Sequence, residues 1–431
     1  MNSLPPVPSP TPPRFSQRTA WTEESPISDL MSRALAYPQL VSLAAGFVDQ
    51  ATLPIEATAE AFRDLLAEPA DARAALQYGT TPGYAPLRAH VLDLHCQLDG
   101  TTAAAEKLTI DRVVLTAGSN QLLHLVAESL LDPGDIVLCA APTYFVFLGL
   151  LANLGARPIG IASDENGMRP DALEATLARI EAAGELAKVK AIYVVSDFEN
   201  PSGATLSAER RPQIVEIARR WSRQARIYVL EDAAYRELRY SGSHLPSLRS
   251  FDPEGITVVH AGTFSKSFSP GIRVGWGLLP PCLVEPVCNR KGNIDFGSPN
   301  FAQHLVDRVI RRGSYGPHVA RLRETYSEKL QATLAAADAH LRPITGISWQ
   351  APAGGLYLWL QLPAGIDAGT KGPLFDLAIK EGVLYVPGEY CFAPEGEGVR
   401  RNTIRLSFGV PSCERIAEGI AALGRALKQV V

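Results

Sequence analysis

The stretch RVVLTAGSNQLLHLVAESLLDPGDIVLCAA, Arg112–Ala141, decides the fold class. It opens with a short β-rich run, RVVLTAG. It continues with SNQLLHLVAESLL, whose leucines recur at helical spacing, and closes with a second apolar run, DIVLCAA. Continuous apolar strands, as opposed to alternating ones, imply burial on both faces. The pattern then repeats. FVFLGLLANLG reads as a helix, RPIGIAS as a strand and RPDALEATLARIEAAG as a helix. VKAIYVVSDF is a strand and SAERRPQIVEIARRWSR a helix, and RIYVLED, ITVVHAG and RVGWGLL are further β runs. Strands alternating with helices predict an α/β fold with a mostly parallel sheet covered on both sides, its ligands at the carboxyl ends of the strands.

Outside this block the pattern changes. FAQHLVDRVIRRG and PHVARLRETYSEKLQATLAAADAHL have long helical periods. ISWQAPAGGLYLWLQLP predicts a hairpin, and VLYVPG, TIRLSFG and a final helix follow. We therefore expect a large α/β domain over 61–298 and a smaller α+β domain over 299–431. The segment 21–60 should join the smaller domain, behind a proline-rich tail at 1–20.

Bulk properties narrow the function. A chain of 431 residues suits two domains. Its formal net charge of −4 argues against nucleic acid as a partner. The six cysteines form no C-x-x-C pair, which fits reduced thiols in the cytoplasm. The N-terminus lacks the basic and apolar regions of a signal peptide. The uncharged run Ile136–Gly155 contains Pro142, Thr143, Tyr144 and Asn153. It reads as buried strand, turn and buried helix, with no membrane span expected. The histidines show no metal-ligand spacing, and there is neither a Walker sequence nor G-x-G-x-x-G.

The chemistry centres on TFSKSFSPGIRVGWG, Thr263–Gly277. Most lysines are solvated surface charges. Lys266, however, follows a β run and sits among Thr263, Ser265 and Arg273, which could surround a phosphate. A shielded lysine there can lose its proton and attack an aldehyde, as pyridoxal 5′-phosphate requires. That cofactor needs a carboxylate against its ring nitrogen. Asp232 in YVLEDAAYRE ends a buried strand, and alternation points Glu231 to the other face. The competing reading of Asp232 is a helix N-cap. Asn200 in SDFENPSG and Tyr235 are donors for the phenolic oxygen, although Asn-Pro-Ser-Gly is also a common turn. Gly118, Ser119 and Asn120 open a helix whose free N–H groups suit an anion. Tyr144 could stack on a ring or pack in the core. Arg405, a cation within the apolar strand TIRLSFG, calls for an anion, either a substrate carboxylate or a structural partner.

Together these stretches resemble the class I/II aminotransferases of pyridoxal-phosphate fold type I. The resemblance runs from about Ile27 to the C-terminus, through LVSLAAGFVDQATLP, LQYGTTPGYAPLR, LTAGSNQ, PTY, FENPSG, YVLEDAAY, TFSKSFSPGIRVGW, PAGGLYLWLQLP, GVLYVPG and NTIRLSFG. Each motif is weak alone; in this order they are specific. The resemblance implies a mostly parallel seven-stranded sheet sandwiched by helices, and a ping-pong transfer of an amino group to a 2-oxo acid such as 2-oxoglutarate. Lys266 would form the Schiff base and shuttle the proton, and Asp232 would face the pyridinium. Asn200 and Tyr235 would serve the phenolic oxygen, and Tyr144 would stack. Gly118, Ser119, Asn120, Thr263, Ser265 and Arg273 would hold the phosphate. Arg405, with Gly46 and Asn200 close by, would bind the α-carboxylate. Tyr78 would reach the cofactor phosphate of a second subunit, which implies a homodimer with shared sites.

SPISDLMSRALAYPQLVSLAAGF and RLRETYSEKLQATL look closest to the branch acting on 2-aminoadipate, kynurenine and aromatic or branched amino acids. Arg18 and Arg33 are the candidates for a distal carboxylate. The sequence departs from the family at Glu199 and Asn120, where glutamine is common, and at Ser196-Asp197, where Pro or Asn is usual. Glu199 either points away from the site or favours a cationic side chain. The alternative within the fold is elimination, cyclisation or oxidation of an amino acid. A transcriptional regulator would need a DNA-binding domain, for which the proline-rich tail has no room.

Overall fold

The computed structural model describes residues 13–22, 30, 32, 37 and 39–431. Seven strands carry the main sheet: β1 Val113–Thr116, β2 Ile136–Ala141, β3 Arg157–Asp164, β4 Val189–Val195, β5 Tyr228–Asp232, β6 Val258–Thr263 and β7 Gly275–Leu278. Their order is β3-β2-β4-β5-β6-β7-β1. The neighbours from β3 to β6 run parallel, and β7 is antiparallel to both β6 and β1. Two strands of two residues each, Glu395–Gly396 and Gly167–Met168, pair with β3 and bring the sheet to nine. They are too short and too polar to register as apolar runs.

Alternation along β2 explains the two covered faces. Ile136, Leu138 and Ala140 enter one apolar cluster with Leu173, Leu177 and Ile214. Val137 and Cys139 enter another with Leu122, Val126 and Tyr193. Full burial of each such aliphatic side chain contributes about 1.5–3 kcal/mol. Helix α1, Ser119–Leu130, shows the local logic. Leu122, Leu123, Leu125 and Val126 form its buried stripe. Gly118 caps it at φ 83°, a conformation open to glycine.

The C-terminal part builds a second, four-stranded antiparallel sheet. Here β8, Tyr357–Gln361, lies between Ser348–Trp349 and β9, Thr403–Ser407, and Val386–Pro387 pairs with β9 on its other side. Val41–Ser42 pairs in parallel with Val383–Leu384, tying the early chain to the late chain. The helix Asn300–Arg311 buries Leu305, Val306 and Val309 in a cluster with Val113, Leu115 and Trp276 of the main sheet. The 26-residue helix α2, Tyr315–His340, spans both halves. Leu322 and Tyr326 pack beside the main sheet, and Leu330, Ala336 and Ala337 pack in the C-terminal core. Among the described residues no helix is long and apolar enough to cross a membrane, and no cluster of potential metal ligands occurs.

Candidate active site

A cavity of about 370 Å³ opens at the carboxyl ends of the main strands. Strand ends deliver its floor: Val195 from β4, Asp232 from β5 and Thr263 from β6. The loops behind them add Asn200, Tyr235, Ser265, Lys266 and Arg273. Ser119 and Asn120 enter from the start of α1, and Tyr144 from the turn after β2. Gly46 and Arg405 close the opposite wall. Residues from across the whole sequence therefore meet in one pocket.

Asp232 is 4% exposed. It accepts hydrogen bonds from the Tyr193 hydroxyl at 3.0 Å and the Ala234 N–H at 3.2 Å, and no cation among the described residues pairs with it. Burial pushes its carboxyl above the usual range, against the lowering effect of Tyr193. Glu231 points the other way, as alternation requires. It bonds His260 Nδ1 at 2.7 Å and accepts from the Leu248 N–H. Burial pushes that carboxyl up, but His260, Arg211 and Arg236 override it and hold Glu231 low.

Lys266 is half-buried, and its Nζ donates to the Gly46 carbonyl at 2.7 Å. Desolvation lowers its pKa, and Arg405 and Arg273 push the same way. Arg405 is 2% exposed. One guanidinium nitrogen donates to Asn200 Oδ1 at 2.8 Å and another to the Ala44 carbonyl at 2.6 Å. Its Nε has no partner, and no carboxylate among the described residues meets it. Arg273 takes the left-handed conformation at φ 52° and donates to the carbonyls of Pro270 and Ala117. A Cβ on Gly118 would sit 2.5 Å from that guanidinium, so this position must be bare.

Tyr357 was missing from the sequence reading. Its hydroxyl lies 3.0 Å from that of Tyr235, its ring lies 4.5 Å from the Arg405 guanidinium, and a Cβ at Gly46 would be 2.9 Å from its oxygen. The signal was present: in YLWLQL, Leu358, Leu360 and Leu362 alternate toward the C-terminal core, which leaves Tyr357 on the other face. Tyr193, the partner of Asp232, was likewise hidden in an apolar run.

Among the described candidates, Tyr78, Arg18 and Glu199 stand elsewhere. Tyr78 does not line the cavity; it is 78% exposed and packs edge-on against Phe296. Arg18 lies 3.8 Å from Glu128 on the outside, and Arg33 lies outside the described residues. Glu199 faces away from the cavity, into a separate crevice with Ser202, Trp349 and Trp359. Ser196-Asp197 has a structural explanation: Asp197 is buried between Arg211 at 3.1 Å and Arg239 at 3.0 Å.

Glu199 yields a stability prediction. Burial raises its carboxyl from 4.5 to about 8, and only the Ser202 hydroxyl at 2.7 Å opposes this. The folded protein thus keeps a proton that the unfolded chain gives up. Stability should fall as pH rises from about 4.5 and level off above about 8. Glu199→Gln removes that slope. Urea denaturation should show the variant more stable by about 5 kcal/mol at pH 9 and indistinguishable in pH dependence below pH 4.5. Parallel pH profiles for the two proteins would refute a buried, protonated Glu199.

Comparisons with known proteins identify the family. Residues 38–423 match the family model described as aminotransferase class I and II. The chain is 32% identical over 416 residues to aromatic-amino-acid aminotransferase 1 of Thermococcus litoralis, covering 96% of this chain and 94% of that one. Its fold superposes on the α-aminoadipate aminotransferase LysN of Thermus thermophilus, complexed with N-(5′-phosphopyridoxyl)-L-leucine. The TM-score is 0.83 and the identity 33%, over 96% of this chain and 97% of that one. It also superposes on the kynurenine aminotransferase of Pyrococcus horikoshii, with a TM-score of 0.88 and 32% identity over 97% of each chain.

Proposed function

Because the chain belongs to the class I and II aminotransferases, enzymes that work with pyridoxal 5′-phosphate, we propose that it moves the amino group of an aromatic, aminoadipate-like or branched L-amino acid to a 2-oxo acid such as 2-oxoglutarate. One observation carries this reading. Asp232, Lys266 and Arg405 face one cavity, and among the described residues none has a counter-ion there. Buried charge without a partner is costly, so Asp232 and Arg405 are set for charges that a ligand brings, and Lys266 gives up its own more easily.

The residues present fit the cofactor. Ser119 and Asn120 N–H groups, Thr263, Ser265 and Arg273 form the phosphate end. Asp232 is an acceptor-only partner for a protonated ring nitrogen. Asn200 has its Oδ1 engaged by Arg405, which leaves Nδ2 to donate to the phenolic oxygen from one side and Tyr235 from the other. Tyr144 offers its ring as the stacking surface. When bound, the cofactor supplies the electron sink that weakens a bond at the amino acid's Cα.

The protein then supplies position and proton transfer. Arg405 takes the α-carboxylate in a forked pair, which sets the amino acid's orientation. Lys266, held below its ordinary pKa, can be neutral and can carry the Cα proton. Phe47, Phe145 and Val146 give the substrate side of the wall an apolar surface, which suits aromatic and branched side chains. Among the described residues, Lys266, Arg273 and Arg405 are the cations lining the cavity. The exposed apolar residues Leu76, Tyr78, Ile294 and Phe296 support a homodimer in which Tyr78 reaches the second subunit's phosphate.

Arg405→Lys keeps the charge and loses the fork. We expect the KM for the amino donor to rise roughly 100-fold with kcat less affected. Steady-state kinetics check this, and an unchanged KM would remove Arg405 from the substrate. The reading as a whole is tested by the visible spectrum of the purified protein, recorded while single amino acids are added without oxo acid. Conversion of the cofactor to its amine form, with one oxo acid released per site, is the expected result. Release of ammonia in its place would point to elimination and overturn the transfer reaction.

A further inference from the structure

We propose that Asp295, acting through Gln121, is a positioning residue for the phosphate end of the cofactor. This rests on the reading that the start of α1 holds the phosphate. The turn before α1 is clamped at one peptide. The Ala117 carbonyl accepts from Arg273 at 3.1 Å, and the Ala117 N–H donates to Gln121 Oε1 at 2.7 Å. With that N–H engaged internally, the free ones ahead of it on α1 are those of Ser119 and Asn120.

A glutamine amide can sit either way round, and only one way suits Ala117. Turned over, Nε2 would meet the Ala117 N–H, two donors face to face. Asp295 decides the orientation. It lies 174 positions along the chain, at the end of the helix Pro281–Asp295, and accepts from Gln121 Nε2 at 2.7 Å. An ionised carboxylate is acceptor-only, so it draws the NH2 end and leaves Oε1 for Ala117. Lys291, fully buried, donates to the other oxygen of Asp295 at 3.2 Å and keeps the carboxylate in place. The Ser298 hydroxyl lies 3.3 Å from both Gln121 Oε1 and Asp295 Oδ2. The chain Lys291–Asp295–Gln121–Ala117 thus runs from a buried ammonium to the phosphate turn, and no member of it lines the cavity.

The test is a double-mutant cycle read as cofactor affinity. Gln121→Glu still accepts from Ala117 but sets two carboxylates against each other. Adding Asp295→Asn restores a donor for the new carboxylate. The equilibrium constant for pyridoxal 5′-phosphate release is measured by titration of the visible band, with kcat taken at saturating cofactor. We expect Asp295→Ala and Gln121→Glu each to weaken binding on the order of tenfold. The pair Gln121→Glu/Asp295→Asn should return to within about threefold of the parent, with kcat and the KM for the amino acid unchanged throughout. Unchanged affinity in Gln121→Glu, or no recovery in the pair, overturns the proposal even if Asp295→Ala does not fold. Arg273→Ala is measured alongside. Weak binding there with full affinity in Gln121→Glu overturns the relay alone; full affinity in both overturns the phosphate site with it.

Discussion

Lys266→Ala should abolish amino transfer, with a loss on the order of 10⁴-fold or more, because nucleophile and proton carrier disappear together. The effect follows from where the side chain sits. Lys266 faces the cavity between the uncompensated Asp232 and Arg405, and desolvation keeps its ammonium easier to discharge than a surface lysine. Borohydride treatment of the parent protein should fix the cofactor covalently to the peptide that carries Lys266. In Lys266→Ala it should fix none, while the cofactor still binds through its phosphate and ring contacts. Turnover by the alanine variant at a rate near the parent's would sink the mechanism and leave Lys266 as a structural hydrogen-bond donor to Gly46.

Asp232→Asn should separate catalysis from stability. Loss of the charged partner of the ring nitrogen removes about 3 kcal/mol or more of interaction, which corresponds to on the order of 100-fold or more in rate. The cofactor-free protein should nevertheless gain stability, because the burial that raises this carboxyl's pKa no longer acts. The amide can keep its Oδ1 toward the Ala234 N–H and turn Nδ2 toward Tyr193, whose hydroxyl then accepts. A raised carboxyl is stabilising only when protonated, so the advantage of asparagine should grow as pH rises from the acid range and vanish at low pH. Urea melts of the two cofactor-free proteins at pH 4 and pH 8 measure it. Equal stability at pH 8 together with full activity would remove Asp232 from the cofactor.

The readable parts of the sequence were those with local grammar. Strands β1 to β7 show as apolar runs because the sheet is covered on both faces, and the face of Asp232 follows from simple alternation with Glu231. Arg405 stands out as a cation inside an apolar run. Glu199 could not be placed by that logic: beside Asn200 it could turn away or face the site, and the loop turns it into another crevice. Tyr357 carried a usable alternation, but nothing local said that its face would meet Gly46, more than three hundred residues earlier. The Gln121–Asp295 contact was invisible for the same reason, since a hydrogen bond across 174 positions leaves no periodic trace.

The helix Tyr315–His340 has a mechanical consequence. At about 1.5 Å per residue it is a rod of about 39 Å, with one end set beside the main sheet and the other in the C-terminal core. Along its length, Tyr326 receives the Asp49 N–H and Lys329 grips the Asp49 carboxylate at 2.7 Å, three residues beyond Gly46. The helix is thus tied to the segment that carries Gly46, whose carbonyl accepts from Lys266. Any rocking between the halves has to flex or tilt that beam. A tilt of the beam would therefore be felt at Gly46 and, through its carbonyl, at Lys266.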